Sequence, residues 1–322
     1  MKYKSIKDMP QVGFGLWKVP KDVCSNTVYR AIEAGYRHLD SASDYANEEE
    51  VGEGIKEAID QGLCKREDLW VTSKLWNTYH HPDHVKPALE KTLQDLQLDY
   101  LDLYMIHFPI SLEFVPFDQR YPPEWFNDPD SKEPVMIPSR VPLSDTWHAM
   151  EILKKEGLAK HIGICNYSSS LLHDLMNYCE TKPEILQVES HPYLTQEKLI
   201  RLAKNYGLEV TAFSPLGSLS YEELGGAEES ESLLKNERIQ SIAKDLDVSP
   251  AQLILSWALN RGTSIVVKSS DEERMKENLD ASIIKLDPFI LDQISALNIN
   301  KRYNDPGVFC EDAFNTFFPI YE

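Results

Sequence analysis

Leu69-Trp70-Val71-Thr72-Ser73-Lys74-Leu75-Trp76 is short, dense in aromatic and branched side chains, and interrupted by one lysine. Its length suits a strand buried on both faces, because a buried helix needs roughly 10–12 residues. Residues 82–96 then carry the period of an amphipathic helix, and residues 100–108 return to a short apolar run. This succession of buried strand, surface helix and buried strand is the unit of a parallel α/β sheet.

The same alternation extends in both directions. Apolar runs occupy residues 36–40, 69–76, 100–108, 161–166, 185–190, 209–214 and 264–269, with a weaker one at 282–286. Helical patterns lie between them at 47–61, 143–156, 168–178 and 196–206, and Ser249-Pro250 opens another with a capping residue followed by proline. Eight such repeats predict an α/β fold of the closed (β/α)8 type, a TIM barrel, with residues 1–322 forming a single domain. An open doubly wound sheet would fit the alternation too, but a dinucleotide fingerprint is missing. Gly13-Phe14-Gly15-Leu16-Trp17-Lys18 lacks the third glycine and is expected to form a short N-terminal hairpin or loop. Residues 109–142, 216–235 and an irregular, aromatic-rich tail at 298–322 are too long for plain connections. Loops of that length belong to lids and binding sites, here over the face formed by the C-terminal ends of the strands.

Bulk properties narrow the function. The chain has 322 residues, and a formal net charge of -19 argues against a broad nucleic-acid or anionic-membrane surface. No apolar stretch has the ~20 residues needed to span a bilayer, and residues 1–7 lack the apolar core of a secretory signal. The five cysteines are dispersed, with no C-x-x-C pair, which fits a reducing, cytoplasmic setting and predicts neither a disulfide framework nor a metal site.

Three successive strand ends carry polar residues that burial makes costly: Asp40 with Tyr45 close behind it, Lys74, and His107. A lysine inside such a run must be paired or neutral, and Asp40 on the neighbouring strand is its natural partner. A tyrosine titrates near ~10 in water. A charged Lys74 is expected to lower that of Tyr45 toward a working range, and His107 to polarise a carbonyl oxygen. Singly, each residue has a structural explanation; together they suit proton delivery to an alkoxide after hydride addition, without a metal.

The chain resembles the aldo-keto reductases through residues 35–42 followed by Tyr45, Asn47 and Glu48, through Ser73-Lys74-Leu75-Trp76, residues 99–107, residues 187–193 and Lys268-Ser269-Ser270. The resemblance implies a catalytic tetrad of Asp40, Tyr45, Lys74 and His107, with Tyr45 the proton donor. It implies that Asn166 and Gln187 hold the nicotinamide carboxamide, beside Cys165, where the family usually has serine, a stronger donor. Phe213 would stack on the nicotinamide ring, and Ser214 and Leu216 would wrap the pyrophosphate. Lys268, Ser269, Ser270 and Arg274 would meet a ribose 2′-phosphate, helped by backbone N–H groups of the following helix, with Glu277 and Asn278 on the adenine side. The cofactor is therefore expected to be NADP(H), with NAD(H) use left open.

The sugar-facing residues are most similar to those of microbial xylose reductases, which implies substrate contacts from Trp17, Asp44, Trp76, His107, Phe108 and Asn304 and an aldose or other aldehyde as substrate. Lys-Ser-Ser in place of their Lys-Ser-Asn leaves an aldose-6-phosphate as an alternative. A cofactor-binding regulatory subunit resembling potassium-channel β subunits is the alternative outside catalysis. A monomer and a homodimer are both compatible with the resemblance.

Overall fold

The computed structural model describes residues 5–128 and 130–321. Residues 1–4, part of the stretch read as lacking a signal core, lie outside the described residues, as do Pro129 of the first long loop and Glu322 of the tail. Eight strands form one closed barrel: β1 (Val12–Gly15), β2 (His38–Asp40), β3 (Trp70–Leu75), β4 (Leu101–Ile106), β5 (Ala159–Cys165), β6 (Ile185–Glu189), β7 (Glu209–Phe213) and β8 (Ser264–Val267). Every neighbouring pair is parallel, and β1 closes on β8.

Helices surround this wall: α1 (Lys21–Glu33), α2 (Glu48–Asp60), α3 (Pro82–Asp95), α4 (Leu143–Glu156), α5 (Ser169–Tyr178), α6 (Glu197–Tyr206), α7 (Glu237–Asp245), α8 (Pro250–Asn260), α9 (Glu272–Asp280), α10 (Pro288–Ser295) and α11 (Pro306–Phe314). α8 starts as its sequence predicts. Ser249 caps the Gln252 amide at 3.1 Å, the Gln252 side chain returns to the Ser249 amide at 3.2 Å, and Pro250 takes the first turn.

Three expectations are corrected. The segment from Gly13 is no hairpin: Val12–Gly15 is the first barrel strand. Its glycines serve close packing rather than a turn. A Cβ on Gly13 would lie 2.8 Å from His38 Nδ1, and one on Gly15 2.8 Å from Val266 Cγ1. Residues 282–286, expected to be the eighth strand, form a helical turn (Ala281–Ile283) and an extended link. Asn260 at the end of α8 holds that link outside the barrel, donating to the Ile284 carbonyl at 2.9 Å and accepting from the Leu286 amide at 3.3 Å. The tail is not wholly irregular, since Asp305 caps α11 and Pro306 begins it.

Strand pleating separates two environments. On β3, Lys74 meets Asp40 of β2, while the preceding Ser73 turns to the other face and donates to Glu48 of α2 at 2.6 Å. Both long loops and the tail rise from the same end of the barrel. The Trp76 indole donates to the Glu124 carbonyl in the first loop at 3.0 Å. Lys18 pairs with Glu223 in the second at 3.0 Å. Both Glu189 oxygens accept tail amides, from Tyr303 and Asn304, at 2.9 Å.

Candidate active site

Asp40 is the last residue of β2, Lys74 lies one residue before the end of β3, and His107 follows β4, so the barrel itself gathers the expected tetrad. Tyr45 arrives on a tight helical turn (Ser43–Tyr45) directly after β2. The Lys74 ammonium is fully buried and donates to Asp40 Oδ1 at 2.6 Å, the Ser41 carbonyl at 2.7 Å and the Tyr45 hydroxyl at 3.0 Å. Three donors meet three acceptors, which is the complete capacity of an ammonium. Asp40 receives a second bond, at 2.7 Å, from Gln187 Nε2 on β6. The centre of the barrel mouth is thus tied from opposite walls.

The electrostatics follow from burial. Burial works against the Lys74 charge, yet the adjacent Asp40 and Tyr45 outweigh it and hold the ammonium above its usual range. Burial likewise pushes the Tyr45 phenol up, and the downward pull of Lys74 does not overcome it. The expectation that Lys74 brings Tyr45 down toward neutrality is therefore corrected: desolvation dominates, and the phenol stays protonated. Burial, reinforced by Lys74, holds His107 well below the usual imidazole range, leaving it neutral. Its Nδ1 is buried without a partner.

Of the expected aromatic wall, Tyr45, Trp76, His107 and Phe108 come together. Trp76 meets His107 at 5.3 Å and Phe108 at 6.1 Å, and Tyr45 meets His107 at 5.9 Å. Trp17 packs on Tyr221 of the second loop at 5.7 Å, and the Tyr221 hydroxyl in turn meets Ser214 and Asn304. Trp125 joins the wall at 4.8 Å from Trp76 and 5.2 Å from Phe309. Sequence reading passed over it because its loop has no periodic pattern; the loop's crowded aromatic residues were the available signal. Asp44 neighbours Tyr45 and is pushed up to about 7 by burial and by Glu124, against the pull of Lys74. Asn304 donates to the Tyr221 hydroxyl at 3.4 Å, and its buried Oδ1 has no partner.

The residues expected at the cofactor form two groups. In the first, Asn166 Nδ2 donates to the His107 carbonyl at 2.9 Å, and Cys165 Sγ lies 3.7 Å from Gln187 Oε1. With Gln187 Nε2 committed to Asp40, its Oε1 is left as an acceptor, so this group fits a primary carboxamide. Burial pushes the Cys165 thiol up to about 12, which keeps it protonated. Phe213 ends β7 part-buried, and Ser214 bends away in left-handed backbone at φ 47° with its hydroxyl 2.9 Å from the Tyr221 hydroxyl. Leu216 leads into the four short helical turns of residues 217–235.

In the second group, Lys268 follows β8 and reaches the Lys18 carbonyl at 3.5 Å. Desolvation and the neighbouring Lys18 charge lower its ammonium, a setting that favours an anion. Backbone N–H help from α9 is less open than expected. Asp271 caps the Arg274 amide at 2.9 Å, and the Ser269 hydroxyl takes the Asp271 amide at 3.1 Å. Ser270 and Arg274 are exposed, Glu277 is half-buried, and Asn278 is buried.

Comparison with known proteins agrees with this arrangement. The family model described as "Aldo/keto reductase family" matches residues 11–299. The chain is 48% identical over 315 residues to an NAD(P)H-dependent D-xylose reductase of Kluyveromyces lactis, covering 96% of this chain and 95% of the relative. It is 46% identical over 314 residues to an NADPH-dependent aldose reductase of Saccharomyces cerevisiae, with 96% of each chain covered. Among solved structures, the aldose reductase from Schistosoma japonicum superposes with a TM-score of 0.84 at 34% identity, over 97% of this chain and 95% of that one. On its barrel, its motifs and these likenesses, the chain belongs to the aldo/keto reductase family.

Proposed function

We propose that this protein reduces an aldose, of the xylose-to-xylitol kind, to its alcohol with NADPH, and accepts NADH to a lesser extent. The observation that carries the reading is the fully buried Lys74 ammonium between the Asp40 carboxylate at 2.6 Å and the Tyr45 hydroxyl at 3.0 Å. A buried charge is costly unless it is paired. Here the pair also places a cation beside a protonated phenol, where it favours the phenolate left when the proton departs. The nicotinamide, when bound, supplies hydride to the carbonyl carbon. Tyr45 gives its proton to the oxygen, and neutral His107, whose ring lies 5.9 Å from that of Tyr45, donates a hydrogen bond to the same oxygen.

The cofactor assignment draws on relatives named for NAD(P)H or NADPH, and on Lys268 as a cation for a 2′-phosphate, its neighbour Lys18 being already paired with Glu223. The substrate assignment draws on relatives named for xylose and aldose, and on Asp44 beside Tyr45 with Asn304 on the Tyr221 hydroxyl as polar groups for sugar hydroxyls. Sites that pair hydroxyls discriminate strongly against substrates lacking them.

The test is steady-state turnover of aldoses and simple aldehydes with NADPH and with NADH, alongside Tyr45→Phe. General acid catalysis contributes about 10²–10⁴-fold, so the variant is expected to lose at least that much kcat while NADPH affinity is retained. Near-normal turnover by the variant would remove Tyr45 from this role. Turnover of aromatic aldehydes without aldoses would remove the sugar.

A further inference from the structure

We propose that Tyr321, in the segment after α11, is a positioning residue that sets Asn166 to receive the nicotinamide carboxamide. The inference rests on the reading of Asn166 as a carboxamide partner. The Tyr321 hydroxyl lies 3.1 Å from Asn166 Oδ1 and 3.4 Å from the Asn166 carbonyl. Neither sequence reading nor the barrel motifs assign Tyr321 a role.

A primary amide side chain has two donor hydrogens and two acceptor lone pairs. Nδ2 gives one hydrogen to the His107 carbonyl at 2.9 Å, a group that can only accept, which fixes which end of the amide faces it. The other hydrogen meets only Cys165 Sγ at 3.4 Å, a weak acceptor that a carbonyl oxygen would displace. On Oδ1, Tyr321 fills one lone pair. What remains is one donor and one acceptor side by side, the complement of a carboxamide, which offers one oxygen and one N–H.

The surrounding structure delivers the hydroxyl with little freedom. The Arg302 guanidinium lies 3.5 Å from the centre of the Tyr321 ring. Glu189, at the end of β6, holds the next two residues by accepting the Tyr303 and Asn304 amides. Thr316 accepts the Met136 amide at 3.0 Å, and Pro319 crosses so close to Gly307 that a Cβ there would lie 2.9 Å from its Cα. Asn166 itself stands in left-handed backbone at φ 62°, which asparagine adopts more readily than most residues, and Tyr321 meets both its carbonyl and its side-chain oxygen there.

The test compares binding of NADP+ and of 2′-phospho-ADP-ribose, which lacks nicotinamide, to the wild type, Tyr321→Phe and Asn166→Ala, with thermal unfolding of each. Losing one hydrogen bond of about 1 kcal/mol corresponds to about fivefold in affinity. Tyr321→Phe is expected to bind NADP+ about fivefold more weakly and 2′-phospho-ADP-ribose unchanged, with the variant still folded and its melting temperature lowered by no more than the loss of one hydrogen bond. Equal or tighter NADP+ binding would overturn the proposal, because Tyr321 would then compete for Asn166. Equal loss of both ligands would also overturn it, as the mark of a purely structural role. If Asn166→Ala weakens NADP+ selectively and Tyr321→Phe does not, this proposal alone fails. If Asn166→Ala has no selective effect, the carboxamide assignment fails and takes the proposal with it.

Discussion

Replacing Asp40 by Asn keeps the size of the side chain and removes the charge that makes Lys74 tolerable. In the native site Lys74 is completely buried, with Asp40 2.6 Å away and only neutral oxygens, Ser41 O and Tyr45 OH, completing its contacts. Removing one partner of a buried ion pair costs about 3–5 kcal/mol. The pH dependence separates this cause from a simple packing defect. The folded Lys74 titrates above its ordinary value, so the stability from the pair is fully present below the unfolded value of about 10.4 and is lost only as pH rises through the folded value. Between pH 7 and 9 it is constant. In Asp40→Asn, burial acts without the carboxylate, and the folded value falls below the unfolded one. The unfolded chain then binds the extra proton, and stability rises with pH by up to about 1.4 kcal/mol per unit. Urea unfolding of both proteins at pH 7, 8 and 9 should show a deficit of several kcal/mol at pH 7 that shrinks toward pH 9. A deficit below about 1 kcal/mol that does not change with pH would refute the reasoning.

Asp44 is pushed up to about 7 by burial and Glu124, against Lys74, so its carboxylate forms near neutrality. The KM for an aldose should fall as pH rises through about 7, and Asp44→Asn should flatten the profile; a profile unchanged in the variant would remove Asp44 from the sugar site. Lys268→Met, taking away a cation beside Lys18, should raise the Kd for NADPH about tenfold, equivalent to about 1.4 kcal/mol, and leave that for NADH unchanged. Equal loss for both cofactors would place Lys268 away from the 2′-phosphate. Tyr45→Phe, described above, should lower kcat without lowering cofactor affinity.

Seven strands and most of the helices were legible because a buried parallel strand must be a short apolar run and its covering helix must show one apolar stripe. The eighth strand was misplaced for a physical reason. β1 has four residues, two of them glycines, so only Val12 and Phe14 carry the bulk that marks a strand, whereas 282–286 carries three aliphatic residues and packs against α8 instead. Alternation identifies a strand's content but not its neighbours, and only barrel closure shows that β1 occupies the gap beside β8.

The same division holds at the site. A charge inside an apolar run is visible in one dimension, which is why Lys74, and with it Asp40, Tyr45 and His107, stood out from the sequence. Contacts made through space between residues far apart in the chain left no such mark. The Gln187 bond to Asp40 spans the barrel, Trp125 reaches Trp76 from an aperiodic loop, and Tyr321 reaches Asn166 from 155 positions away. The sequence by itself determined the fold class and the groups proposed to move the proton, because both follow from what burial permits locally. Tertiary structure alone decided the balance of fields on Tyr45, where desolvation prevails over Lys74, and the neighbours that orient each amide, because these depend on how completely distant segments exclude water from the barrel mouth.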